Sequence, residues 1–219
     1  MDTNSGALAG SGSLVDNIHR GVRTAILTGR YKPGEAISEV GVAALYDVAR
    51  PTARAAVERL VAEGLLVRSG RKAAEVPIFS EQAIENLYGA RILIEGHAHR
   101  SLAERRLVPP DAVAANSALR ANAANGLASG MIDADVAFHT ALVRAQGNSQ
   151  LLRLHGILMG EAHLLMAQVQ AQQLLRADTI ADEHAAIIQA IARNSPDEAY
   201  DLTEYHLQHA QAKLLGSDG

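Results

Sequence analysis

Residues 45–66 read LYDVARPTARAAVERLVAEGLL, and the spacing inside this run decides the fold of the first part of the chain. Ala53, Ala56, Val57, Leu60 and Val61 recur at the period of an amphipathic helix. Arg50 and Arg54 sit one turn apart in its first half, where the apolar stripe has no need of them. Pro51 falls near the first helical position, where a missing N–H costs nothing. Upstream, Ser38 to Tyr46 reads as a short helix joined by a tight turn through Asp47. Two helices, a short turn and arginines opening the second are the parts of a helix-turn-helix DNA reader.

Working outward, Leu14, Ile18, Val22 and Ile26 share one face of an expected first helix, Leu14 to Leu27, ended by Gly29. Lys32-Pro33-Gly34 is a turn. After Gly64, Leu65-Leu66-Val67 and Glu75-Val76 flank the basic tip Arg68-Ser69-Gly70-Arg71-Lys72, the pattern of a β-hairpin wing. The expected first domain is therefore a winged helix over 13–76, three helices plus a wing, preceded by a disordered Gly/Ser-rich tail over 1–12. Pro77 opens a linker over 77–80. From Ser80 onward only helical periods appear, broken at Pro109-Pro110, Asn125-Gly126, Gly147-Asn148-Ser149, the stretch after Gln172, and Asn194-Ser195-Pro196. That predicts an antiparallel bundle of about six helices over 81–216, and a mainly α protein.

At 219 residues with 48% hydrophobic side chains, the chain has material for two small cores. Aromatics at 3%, with abundant Ala and Leu, favour helix over sheet. The apolar runs are too short to span a bilayer, and the first dozen residues are no secretory leader, so a cytoplasmic protein without membrane contact is expected. No cysteine is present, so a metal site must use histidine and carboxylate. The net charge of −4 divides unevenly. Residues 1–76 carry ten Lys and Arg against eight Asp and Glu, and the acidic excess lies beyond them. Arg50, Arg54, Arg59, Arg68, Arg71 and Lys72 form a basic face opposed only by Glu58 and Glu63.

Asp135 and His139 stand four apart on one helix and project from one face. His184 and His206 are each 11 residues from Ser195, the centre of the last turn, so an antiparallel hairpin places them at equal height. One Asp and three His can make a site for Zn²⁺, Ni²⁺ or Mn²⁺ with room for a ligand carboxylate. With nine histidines in the chain, spacing alone leaves the ordinary reading open, in which each is exposed or a satisfied core residue. That ordinary reading is assigned to His97, His99, His155, His163 and His209, with His163 a candidate to line the same cavity. Arg91 and Glu95, also four apart, read either as an intrahelical ion pair or as a cavity arginine for an anionic effector.

Both parts of the chain resemble one family. Tyr31-x-Pro33-Gly34, Val48-x-Arg50, Arg54 and Glu63-Gly64-Leu65 are similar to the winged helix of GntR-type bacterial regulators. Arg91-x-x-x-Glu95, Asp135-x-x-Phe138-His139, Asn148, Glu183-His184-x-x-Ile187 and His206-Leu207 resemble the FCD effector domain of the FadR subfamily. The resemblance implies that Arg50 and Arg54 contact DNA, with Arg50 on a base edge, and that Gly70 and its neighbour Arg71 form the wing tip at a minor groove. It implies one divalent metal on Asp135, His139, His184 and His206, with Arg91 as an effector contact; His163, as a residue that could line the same cavity, is a second candidate contact. It further implies a homodimer on a palindromic operator; a buried metal favours a small carboxylate effector, such as a hydroxy acid or sugar acid, and the expected role is that of a repressor. The chain departs from the family at Ala49, at the Pro51-Thr52 order, and at Ala55 and Val40, so a phosphate-contacting hydroxyl either comes from Thr52 or is missing, and the operator sequence does not carry over. Two alternatives accompany this reading. One is a constitutive DNA binder with a structural metal. The other is a metal-dependent hydrolase, whose nearest general base, Glu183, points away on its helix; no enzyme is expected.

Overall fold

The computed structural model describes residues 13–68, 70, 73–169 and 177–216. The expected tail over 1–12 and the candidate Arg71, with Lys72, lie outside the described residues. The order is α1 (Leu14–Leu27), β1 (Ala36–Ile37), α2 (Glu39–Tyr46), α3 (Arg50–Ala62), β2 (Ala74–Glu75), α4 (Glu81–Glu104), α5 (Pro110–Ala124), α6 (Ala128–Gln146), α7 (Ser149–Val169), α8 (Ala177–Ala192) and α9 (Pro196–Leu214).

Local chemistry sets the helix ends. Ser13 and Asp16 form a capping box at α1: the Ser13 hydroxyl accepts from the Asp16 N–H at 3.2 Å, and the Asp16 carboxylate accepts from the Ser13 N–H at 2.9 Å. Ser38 caps α2 by its hydroxyl alone, which accepts from the Gly41 N–H at 3.0 Å. Asp47, left-handed at φ 50°, ends α2 and turns the chain into α3. Pro51 occupies the first turn of α3, whose preceding residue, Ala49, supplies no side-chain cap.

Ile18, Val22 and Ile26 of α1 meet Ala53, Ala56, Val57 and Leu60 of α3 in one core, closed by Val42, Ile37 and Ala74. The wing differs in detail from the expected hairpin. Val67 pairs with Glu75 by two 2.9 Å backbone bonds, and β2 pairs antiparallel on its other side with β1, Ala36 opposite Glu75. β1 is two residues long, too short for alternation to announce it.

Helices α4 to α9 pack as a bundle with α4 against α6, α7, α8 and α9. One face of α4 carries Tyr88, Arg91, Glu95 and His99 inward, all buried. Two apolar clusters lie either side of this polar band: Leu102, Phe138, Leu142, Ile187 and Ile191 on one, Ile84, Leu87, Leu165 and Leu207 on the other. α7 also reaches the first core. Leu164 is part of it, and Gly160 sits against the Glu63 carbonyl so closely that a Cβ would overlap it. Beside that contact Arg23 Nη2 donates to His163 Nδ1 at 3.2 Å, while His163 Nε2 lies 3.4 Å from Asp133.

Candidate metal centre and nucleic-acid interface

α6 contributes Asp135 and His139, α8 His184 and α9 His206, and one ligand atom of each falls within 4.8 Å of all the others. His206 Nε2 is 3.3 Å from both His184 Nε2 and His139 Nε2; Asp135 Oδ1 is 3.5 Å from His184 Nε2 and 3.8 Å from His139 Nε2. His139 and His184 are fully buried, His206 and Asp135 nearly so.

The neighbours of each ring assign its protons. His206 Nδ1 donates to Glu183 Oε2 at 2.7 Å, which leaves its Nε2 a lone pair. His139 Nδ1 faces Glu95 Oε2 at 2.7 Å, bent away from a straight hydrogen bond, so its Nε2 is a lone pair too. The His184 ring stacks on Phe138, centroids 3.7 Å apart, with its Nε2 turned to the other two. Burial, then His206 and His139, push the His184 pKa well below the ordinary histidine range, and burial also lowers His139 against the pull of Glu95. Three imidazole Nε2 atoms thus converge on one buried point beside a carboxylate, an arrangement suited to a cation among them. Nitrogens bound to one tetrahedral Zn²⁺ stand about 3.3 Å apart. The residues therefore fit a divalent metal by chemistry and by spacing.

Two carboxylates that sequence reading did not assign to the site hold the rings in place. Glu183 accepts from His206 and, through Oε1, from His209 Nδ1 at 2.7 Å. Burial raises Glu183, but those two histidines outweigh it and its pKa falls. Glu95 accepts from Arg91 Nε at 2.8 Å and His155 Nε2 at 3.1 Å on one oxygen, and faces His139 with the other. Burial would raise Glu95, yet Arg91 and then His139 hold it well below its usual range. Such outer partners fix ring orientation and ligand basicity. The Glu183-His184 and Arg91-x-x-x-Glu95 steps carried a signal for them, but only the packing shows which histidine each serves.

Beside the cluster lies a cavity of about 70 Å³ whose wall includes Arg91, Tyr88, Asp135 and His206. Arg91 makes the intrahelical pair the sequence allowed, its Nε donating to Glu95, and it also lines this cavity, with its Nη2 buried and without a hydrogen-bond partner. His163 is not on this wall. It lies one turn before Met166, which is, and rotation along α7 turns it toward α1 and Arg23.

At the other end, Arg50 and Arg54 stand out from α3 with side chains 69% and 65% exposed. Thr52 lies between them, half-buried, and Gly70 is exposed at the wing tip with φ 65°, a conformation that favours glycine. Glu39, at the start of α2, gathers this face: its carboxylate is 3.4 Å from Arg50 Nε, 3.9 Å from Arg54 Nε and 3.3 Å from Arg68 Nη1. Arg68 also reaches Glu58 at 3.3 Å. Neither Glu39 nor Arg68 was singled out from sequence as a reader, because their meeting across two elements leaves no local pattern.

Residues 14–76 match the bacterial regulatory proteins of the gntR family, and residues 86–209 match the FCD domain. The "Nta operon transcriptional regulator" of Aminobacter aminovorans is 31% identical over 124 residues, 56% of this chain and 59% of that protein. The "Probable D-xylose utilization operon transcriptional repressor" of Paenarthrobacter nicotinovorans is 27% identical over 191 residues, 87% of this chain and 82% of that protein. Among solved structures, a putative transcriptional regulator GntR from Rhodococcus sp. RHA1 superposes with a TM-score of 0.79 at 22% identity, covering 95% of this chain and all of that one. E. coli McbR/YncC superposes at 0.77 with 16% identity over the same share. Among the described residues no helix is long and apolar enough to cross a membrane. The two family matches fall on the winged helix and on the helical bundle in turn: the chain belongs to the GntR family of transcriptional regulators, with an FCD domain as its second part.

Proposed function

We propose that the chain is a cytoplasmic, homodimeric repressor that binds a palindromic operator and releases it when a small carboxylate docks at a divalent metal. The metal is Zn²⁺ or Ni²⁺, with Mn²⁺ also compatible, held by Asp135, His139, His184 and His206. Arg50 and Arg54 enter the major groove, Thr52 takes a phosphate, and Gly70 with Arg71 follows the minor groove. The carrying observation is the convergence of three imidazole Nε2 atoms and a carboxylate beside the unpartnered Arg91 Nη2. When bound, the metal supplies an open coordination position for a carboxylate oxygen. Arg91 supplies a second, charge-assisted contact. The two relatives' names, an operon regulator and an operon repressor, support a regulatory rather than enzymatic role.

For the carboxylate to act, it must bind one arrangement of the dimer better than another. The test is metal analysis of gently purified protein beside His184→Ala, followed by operator titrations with and without carboxylates. About one metal per chain, lost in the variant, with operator affinity shifted by a carboxylate, bears the proposal out. Full metal with no carboxylate effect leaves a constitutive DNA binder whose metal is structural. Full metal in His184→Ala overturns the four-residue site.

A further inference from the structure

The cavity beside the metal cluster has two unlike ends. One end is polar: Asp135, His206, Tyr88 and Arg91, whose Nη2 is fully buried and unpaired. The remainder is hydrocarbon and thioether, with Met131, Ile132, Met166, Val169, Ile180 and Leu214 on the wall. Those side chains come from α6, α7, α8 and α9, and among the described residues of this end none offers more than the weak acceptor of a thioether to a second polar group on a ligand.

We propose that this site is specific for a monocarboxylate whose short body is hydrocarbon beyond the carbon next to the carboxylate, and that sugar acids, diacids and acids hydroxylated along the chain are rejected. The inference rests on the reading above, that a carboxylate docks between the metal and Arg91, and it decides what the rest of the ligand is. A hydroxyl carried into the far end loses its water and meets methyl and methylene groups, leaving a buried polar group unpaired. A second carboxylate would bury a charge there with no counter-ion among the described residues, a heavier penalty. Size follows from volume. The 70 Å³ space is about half of a cavity that accepts benzene, so it suits a body of roughly three to four carbons. Met131 and Met166, unbranched and adaptable, allow small departures in shape.

The experiment uses the full chain loaded with Zn²⁺ and four probes of equal carbon count: pentanoate, arabinonate, glutarate and 1-pentanol. Binding is read by titration calorimetry and by the shift in melting temperature. Pentanoate should bind, and arabinonate and glutarate should bind about a hundredfold more weakly or not at all. Val169→Thr keeps side-chain volume and adds one hydroxyl to the wall. It should weaken pentanoate by about tenfold while zinc content and the circular dichroism spectrum stay unchanged. Arabinonate or glutarate binding as tightly as pentanoate overturns the hydrocarbon body while carboxylate docking stands. 1-Pentanol equal to pentanoate overturns the docking reading while the apolar wall stands. No binding by any probe at full zinc occupancy overturns both.

Discussion

Glu39 and Glu95 each gather three basic side chains, one at the DNA-reading face and one inside the bundle, and their surroundings give them different tasks. Glu39 meets Arg50, Arg54 and Arg68 where the first two remain largely in water. Pairs with one partner in water contribute about 0–1 kcal/mol each, and although Glu39 and Arg68 are mostly covered, Arg68 keeps Glu58 as a second partner, so Glu39 orders guanidinium groups more than it holds the fold together. Glu95 meets Arg91, His139 and His155 with no exposure at all. There the charges have lost their water, and removing one partner strands the others. The reading face keeps function outside its core; the bundle has made its function part of its core.

The sharpest break of that contrast is Glu95→Ala against Glu39→Ala. Leaving Arg91 buried and uncompensated should cost Glu95→Ala about 3–5 kcal/mol, read as a large fall in denaturation midpoint. Glu39→Ala should cost about 1 kcal/mol or less. Equal losses in the two variants would show that burial does not separate the two carboxylates.

α7 is where the two regions meet, and it carries residues of both. Met166 and Val169 line the cavity, whereas Gly160, His163 and Leu164 touch α1 or the end of α3. Gly160→Ala would drive a methyl group into the Glu63 carbonyl, a backbone atom that cannot swing aside. The expected cost is about 1–3 kcal/mol, together with a weakened response of operator binding to any ligand of the bundle. A Gly160→Ala variant as stable and as responsive as the parent would mean that α7 does not join the regions.

A smaller loss comes with acid. His99 Nδ1 donates to Thr203 Oγ1 at 2.7 Å, since that hydroxyl is committed to the Ala199 carbonyl, and its Nε2 is buried without a partner. Burial lowers its pKa from 6.5 to about 3. Below pH 6.5 the unfolded chain takes up a proton that the native chain refuses until about pH 3. Stability is therefore intact above that window and falls as pH drops through it, by about 1.4 kcal/mol per pH unit from this group. Urea unfolding at pH 6.5 and pH 5 should show a shallower decline in His99→Gln than in the parent. Equal slopes would remove His99 from the account.

The same division explains what the sequence disclosed. Helix α1 was legible to its end residues because its apolar face from Leu14 to Ile26 and the break at Gly29 are local signals. The meeting of His184 with His206 was legible because a helix hairpin is itself local, and counting from Ser195 sets both at one height. Glu95 as a partner of His139 was not, since a carboxylate on an amphipathic helix reads as surface until neighbouring helices cover it. β1 was missed because its two residues are held by Glu75 and Ala74 from far along the chain. His163 was drawn to the wrong neighbour because spacing along α7 cannot say that α1 will pack there.

Arg50→Ala should have the smallest effect on stability and a clear one on function. Its guanidinium is 69% exposed and reaches Glu39 only at 3.4 Å, so the change in unfolding free energy should stay within about 0.5 kcal/mol. If Arg50 makes a bidentate contact to a base, operator affinity should fall by about 1–3 kcal/mol and discrimination at one base pair should relax. Substituting a phosphate contact instead would weaken all sequences alike and flatten the salt dependence. Arg54→Ala beside it separates these cases, because both arginines share Glu39 but stand one turn apart on α3. A marked loss of stability in Arg50→Ala would show that function and folding are no more separable at the reading face than in the bundle.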